Sequence, residues 1–265
     1  MAEECDTRMI TSTTNRHVKW VRALQTKRRT RQGEGAFVIE GIRLAREVVA
    51  AQLPVQLVLN TDHLDSRGRG LVHNLARLGA EVMIVSDTVM AACSSTESPP
   101  GLLAVLPVPV LPFPAQLTLA LVADRLADPG NLGTLLRTAC AAGVEAVILT
   151  KGTVDPYNPK VVRGAMGAHF RLPIETLDLN ILPERLAGLE IWLAEAGEGT
   201  PYTDIDWRRP LALAIGGEAH GPQPALRSMA KGQVHIPMIG TAESLNAAVA
   251  AAIVLFEIVR QRGTA

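Results

Sequence analysis

Aromatic residues make up only 3% of the 265-residue chain, so a surface that grips bases mainly by stacking is not expected. Cysteine is equally scarce: Cys5, Cys93 and Cys140 lie far apart and form no C-x-x-C. With no zinc-helix spacing of histidines either, a disulfide framework and a structural metal are both disfavoured. Net charge names no partner, because 26 Lys and Arg balance 26 Asp and Glu. No apolar run reaches the roughly 18 residues that a membrane span needs. The opening MAEECDTRMI lacks the apolar core of a signal peptide. The expectation is a reduced cytoplasmic protein with no membrane segment and no metal. What is present is 48% apolar and 20% charged residues, a balance that buries a full core.

The charge that sums to zero is unevenly spread. From Arg8 to Arg31 the chain carries Arg8, Arg16, Lys19, Arg22, Lys27, Arg28, Arg29 and Arg31 and no acid, with His17 and Trp20 among them. Two readings stand side by side: a solvated helix face, and a basic arm that touches phosphates and gains from counterion release.

Apolar runs alternate with helical spacing. FVIE, VQLVLN (55–60) and AEVMIVS (80–86) read as strands, with helical GIRLAREVVAA and VHNLARLGA (72–80) between them. LPVPVLPFP (106–114) has four prolines in nine residues, which suits an extended linker. The boundary is set there: a first domain over 1–108, a linker over 109–114 and a second domain over 115–265. In the second domain LTLALVAD (117–124), EAVILTK (145–151), LEIWLAEA (189–196), LALAIGGE (211–218) and QVHIPM (233–238) read as strands. NPKVVRGAMGAHF (158–170) is helical in part, and SLNAAVAAAIVLFEIVRQRG (244–263) is a long helix with a basic end. Uniformly apolar strands between helices predict an α/β fold with a mostly parallel sheet covered on both faces. Ligands of such sheets sit beyond the carboxyl ends of the strands.

The familiar cofactor signatures are absent: no G-x-G-x-x-G after a strand, no P-loop and no G-x-S-x-G elbow. His220 has no nucleophile beside it in sequence and reads as a loop histidine rather than a base. Three loops remain, ADRLADPGNLGTLLRT, AIGGEAHGP and IPMIGTAESLN, each after a predicted strand. Gly216, Gly217 and Gly221 permit tight turns and close backbone approach. Ser244 is placed to cap the last helix, with Asn246 in its first turn. In DPGNLGTLLRTACAAGV (128–144) Leu132, Leu135, Leu136, Ala139 and Gly143 share one face. Arg137 lies off its edge, on a small, smooth side with Gly133, Thr134 and Ala141, and is the only charge after Asp128.

Order and spacing of the three loops resemble the motifs of the SpoU/TrmH branch of the SPOUT methyltransferases, which methylate ribose 2′-oxygens of RNA. N-x-G-x-x-x-R is Asn131, Gly133 and Arg137; G-x-E-x-x-G is Gly216, Glu218 and Gly221; I-P-M with S-L-N is Ile236, Pro237 and Met238 with Ser244, Leu245 and Asn246. NPKVVRGAMGAHFRLPI resembles a further family segment, with Gly164 and Ala165 in place of Ala-Ser, which excludes a serine role at 165. TNRHVKWVRAL and RRTRQGEGAFVIEGIRLAREV resemble the family's L30e-like substrate-binding domain.

The resemblance implies a SPOUT-type α/β-knot domain, trefoil-knotted, behind a smaller α/β L30e-like domain. It implies S-adenosylmethionine as cofactor, held by Gly216, Gly217, Gly221, Ile236, Met238, Leu245 and Thr150. The residue matching Arg137 handles the ribose hydroxyl, either as an unusual base or, the favoured reading, by holding the adjacent phosphate and stabilising a developing alkoxide. Asn131, Glu218, Ser244 and Asn246 complete the catalytic group. RNA contacts are expected from the eight residues Arg8 to Arg31 with Lys160 and Arg163. A homodimer is implied, with the alanine-rich last helix packing either on a partner or internally. Ribosomal RNA, 23S above all, is favoured over transfer RNA. A non-catalytic RNA-binding member and a nicotinamide enzyme are the rival readings, the second weakened by the missing dinucleotide fingerprint.

Overall fold

The computed structural model describes residues 9–197, 199–217, 221–241 and 243–263. It divides into two compact units, Met1–Pro109 with Tyr157–Phe170, and Val110–Pro156 with Arg171–Ala265. Along the chain the first stretch runs α1 (Arg16–Thr26), α2 (Arg28–Glu34), β1 (Ala36–Glu40), α3 (Ile42–Ala50), β2 (Leu57–Asn60), α4 (Ser66–Arg77), β3 (Glu81–Ile84), α5 (Asp87–Cys93) and β4 (Leu102–Pro107). It continues with β5 (Leu119–Asp124), α6 (Pro129–Ala141), β6 (Ala146–Thr150), α7 (Pro159–Ala165), β7 (Ile174–Leu177), α8 (Leu182–Arg185) and β8 (Glu190–Ala194). Last come β9 (Thr200–Pro201), β10 (Leu211–Gly216), α9 (Pro224–Met229), β11 (Gly232–His235) and α10 (Ala247–Arg262).

The first unit is a four-stranded sheet in the order β1-β4-β2-β3. β4 is antiparallel to both neighbours, and β2 and β3 are parallel. Strand periodicity sends alternate residues to opposite faces. Phe37, Ile39, Val58, Ala104 and Leu106 join one apolar cluster with Leu44, Val48, Leu71 and Leu75 of α3 and α4. Val38, Leu57, Leu59, Leu103 and Val105 join another with Val18, Val21 and Leu24 of α1 and Val89 and Met90 of α5. Val162 and Phe170 complete the first cluster, and the Tyr157 ring packs at a tilt against Phe37 and His169, with centroids 5.0 and 5.3 Å away.

The second unit is a seven-stranded sheet in the order β7-β6-β5-β10-β8-β11-β9, every pair parallel. Ala120, Val122, Ile148, Leu193, Ala212 and Ala214 cluster on one face with Leu182 and Leu186 beside α8 and Leu226 of α9. The buried rows of α6 and α10 pack against each other. Arg262 anchors the end of α10 by donating to the carbonyls of Trp207, Arg209 and Thr118. The chain leaves β5 toward β6 on one side while β10 lies on the other, so a topological switch point falls between β5 and β10.

Several expectations shift. Leu106 and Pro107, the start of the proline-rich stretch, are the last two residues of β4. β4, β7 and α5 were not foreseen; the prolines after β4 mask its apolar alternation. Gly143 is not on the buried face of α6: it is exposed at φ 73 beyond the helix end, while Gly133 is buried.

Arg31 is a correction to the RNA-contact set. It is 4% exposed, and its guanidinium donates to the Leu24 carbonyl at 2.6 Å and the Gln25 carbonyl at 3.4 Å. The chain turns extended at Lys27, and Arg31 folds back to satisfy carbonyls that the end of α1 leaves without helical partners. Replacing Arg31 by Met is therefore expected to destabilise the protein by about 1–3 kcal/mol. Arg28→Met, at an exposed position, should stay within about 0.5 kcal/mol. Chemical denaturation of the two variants checks this.

Candidate active site

All three motif loops leave the carboxyl ends of the second unit's sheet. Asp124, the last residue of β5, pairs in register with Gly216, the last of β10. Arg125 follows at φ 53, a left-handed conformation that costs a non-glycine residue about 1 kcal/mol or more. Its carbonyl oxygen lies against Gly217, so closely that a Cβ on Gly217 would run into it, and one on Gly216 would run into Pro222. The glycines are required by this approach of backbone to backbone. Gly221 returns to donate its N–H to the Gly217 carbonyl at 3.0 Å.

Asp128 caps α6 by accepting from the Asn131 N–H at 2.8 Å. The cap of α10 differs from expectation. Asn246, not Ser244, closes it, with its side-chain carbonyl accepting from Ala248 and Val249 at 2.9 and 3.3 Å. The helix begins only after Asn246, whose ψ of 138 is extended, so Ser244 sits too far upstream to cap. The Asn246 amide then donates to the Asn131 side-chain oxygen at 2.8 Å. One asparagine thus satisfies the start of one helix and ties it to the start of another, joining the first and third motifs.

Behind these loops opens a cavity of about 480 Å³, within the 300–1,000 Å³ range of small-molecule and cofactor sites. Gly216, Gly217, Gly221, Ile236, Met238 and Leu245 line it as expected, and Ser244 and Asn246 stand at it too. Thr150 does not line it: it is 2% exposed and donates to Asp124 at 2.6 Å. Glu218, like His220 and Arg8, lies outside the described residues. Ile215, Val234 and Val254 add apolar wall, and Glu195 adds a carboxylate that Arg227 grips with both guanidinium nitrogens. Sequence reasoning missed Glu195 and Asp124; the one signal available was an acid at the end of a predicted parallel strand.

Arg137 is exposed on α6 and makes no ion pair with any described residue. Helical side chains lean toward the helix N-terminus, over the residues three and four before them. For Arg137 these are the small Thr134 and Gly133, on the side of α6 that leads back toward its start. Burial pushes the Cys93 thiol up to about 11, and Cys93 is a core residue with no nucleophilic character at neutral pH.

In the first unit Arg16, Lys19 and Arg22 stand exposed at three-residue spacing along α1, followed by exposed Lys27, Arg28 and Arg29. None pairs with an acid among the described residues. Lys160 is exposed, whereas Arg163 is half-buried, bonded to Ser95 and 3.7 Å from Glu40.

A cofactor-sized cavity at the carboxyl ends of β8, β10 and β11, rimmed by polar side chains and tied through Asn246 to the helix that carries Arg137, defines an α/β enzyme site. The comparisons with known proteins agree. The model of the SpoU rRNA Methylase family matches residues 118–256, and that of the MRM3-like substrate binding domain matches residues 15–104. The chain belongs to the SpoU rRNA methylase family. It is 34% identical over 253 residues to the 23S rRNA (guanosine(2553)-2′-O)-methyltransferase RlmP of Bacillus subtilis, covering 95% of this chain and 99% of that one. It is 33% identical to the 23S rRNA (uridine(2479)-2′-O)-methyltransferase of Streptomyces viridochromogenes, covering 96% and 93%. An AdoMet-bound rRNA methyltransferase from Sinorhizobium meliloti superposes with a TM-score of 0.85 at 29% identity, covering 96% and 97%.

The close approach at Gly217 gives a direct test. Gly217→Ala is expected to destabilise the protein by about 1–3 kcal/mol through backbone displacement, seen as a lowered melting temperature. Gly240→Ala, with nothing within 4 Å of its added Cβ, should melt like the parent.

Proposed function

We propose that the protein transfers a methyl group from S-adenosylmethionine to a ribose 2′-oxygen of 23S ribosomal RNA. The observation that carries this reading is the Asn246–Asn131 bond, which joins the cofactor-sized cavity to the helix bearing Arg137. The donor set fits the cofactor: apolar walls from Ile215, Ile236 and Leu245, closely approachable backbone at Gly216 and Gly217, and the Glu195 carboxylate. When bound, S-adenosylmethionine supplies a methyl on a positively charged sulfur, a group already activated for transfer.

What the chain adds is position and charge. An arginine guanidinium stays protonated, so Arg137 holds the phosphate next to the target ribose and stabilises negative charge developing on the 2′-oxygen. Asn131 and Asn246 fix the start of α6 relative to the cavity rim, and Ser244 faces the same space. Holding the reacting groups in line contributes more than acid–base strength here, because effective molarity alone lowers barriers by several kcal/mol. Glu218 completes this group by resemblance.

The reading extends to assembly. Val249 and Phe256 are exposed apolar residues seven apart on α10, at 46% and 50%, and a second copy covering that face accounts for them. A homodimer, the family's trefoil knot and a cytoplasmic site of action belong to the same proposal. The names of the relatives favour ribosomal over transfer RNA.

Arg137→Ala is expected to lower methyl incorporation by at least about 100-fold while calorimetry returns the parental affinity for S-adenosylmethionine. Near-parental turnover of that variant refutes the assignment. Mapping of 2′-O-methyl groups in 23S rRNA from cells with and without the protein identifies the nucleotide. On the substrate-binding side, each exposed cation removed among Arg16, Lys19 and Arg22 should reduce the salt dependence of RNA affinity, log Kd against log salt, by about one unit of slope.

A further inference from the structure

Asp124 is fully buried at the end of β5, and a buried carboxylate must be satisfied by donors. Its Oδ1 accepts from Thr150 Oγ1 at 2.6 Å and from Gln223 Nε2 at 2.7 Å, and its Oδ2 accepts from the Gln223 backbone N–H at 2.7 Å. These donors belong to the site's loops. Gln223 directly follows Gly221 and Pro222, which line the cavity. Thr150 in turn accepts from the Arg125 N–H at 3.1 Å, so the same network holds Arg125 in its left-handed conformation. The Arg125 carbonyl packs on Gly217, and three residues later Asp128 begins α6.

One carboxylate therefore ties together the loop that walls the cavity and the loop that launches the helix of Asn131 and Arg137. We propose that Asp124 is a positioning residue for methyl transfer, setting the placement of the cofactor cavity relative to Arg137. The inference rests on the methyltransferase reading. It touches neither cofactor nor ribose and acts through Gln223 and Thr150. Its charge, not its shape, is what the network uses. An asparagine fills the same volume but presents an amide N–H to one of three groups that are themselves donors.

The test compares the parent, Asp124→Asn, Gln223→Ala and the double variant well below their melting temperatures. Calorimetry gives affinity for S-adenosylmethionine, single-turnover assays give the transfer rate at saturating cofactor, and filter binding gives RNA affinity. Asp124→Asn is expected to weaken cofactor binding about 10-fold and to slow transfer at saturation by a similar factor, with RNA affinity unchanged. Gln223→Ala removes one donor and keeps the backbone bond, so its effects run the same way at about 3-fold. The double variant should match Asp124→Asn alone, since both substitutions break one network. A purely structural role moves the melting temperature and leaves the cofactor affinity and saturated rate of folded protein at parental values, and that result overturns the inference. Should Asp124→Asn fail to fold, Gln223→Ala decides by the same criteria. A parent that binds no S-adenosylmethionine refutes the proposed function itself; a parent that binds it alongside variants that match it refutes only the role of Asp124.

Discussion

Two parallel strands end side by side, and the loops that leave them must pass at backbone contact. That approach, Gly217 on the Arg125 carbonyl with Gly216 against Pro222, is the constraint from which the rest of the site follows. Any side chain at Gly217 would push the loop after β10 outward and spoil the wall of the cavity. Arg125 accepts an unfavourable φ to make the contact, and Asp128 then redirects the chain into α6 as its cap. The site is thus built from backbone first. Side chains come second, and the Asn131–Asn246 bond is possible only because two helix starts have been brought to the same place.

The parts of this arrangement that were legible in the sequence share a physical reason. β5, β6 and β10 are buried on both faces, so they read as unbroken apolar runs, and the glycine-bearing loops after β5 and β10 announce where backbone must turn. In the first unit β4 alternates between two clusters and ends in prolines, which hides it behind the look of a linker. Ser244 was the expected cap of α10 and Asn246 a first-turn residue, yet by residue type asparagine caps as well as serine. The decision lies in where the chain leaves extended geometry, at Asn246, whose side chain also bonds Asn131, 115 positions earlier. Asp124 was illegible for the same reason: a carboxylate at a strand end looks exposed until the strands on either side are known.

Arginine usage separates along the same line. Arg31 and Arg262 direct their donors to main-chain carbonyls, and Arg227 and Arg260 grip carboxylates. These side chains act as internal staples and have little capacity left for an outside anion. Arg16, Arg22, Arg28, Arg29 and Arg137 are different: all are exposed, and no described acid pairs with them. A lone cation in the body of α6 gains little from the helix dipole, which favours positive charge only in the last turn. The balanced formal charge of 26 against 26 therefore conceals two populations. Acids such as Glu175, Glu190, Glu195 and Glu257 are matched within the fold, while exposed guanidinium groups with no described acid partner stand on α1 and α2, on α3 and α4 (Arg43, Arg46, Arg67 and Arg77) and on α6. Unmatched guanidinium groups persist at little cost in water, but they bind strongly only where a phosphate supplies the missing charge with bidentate geometry.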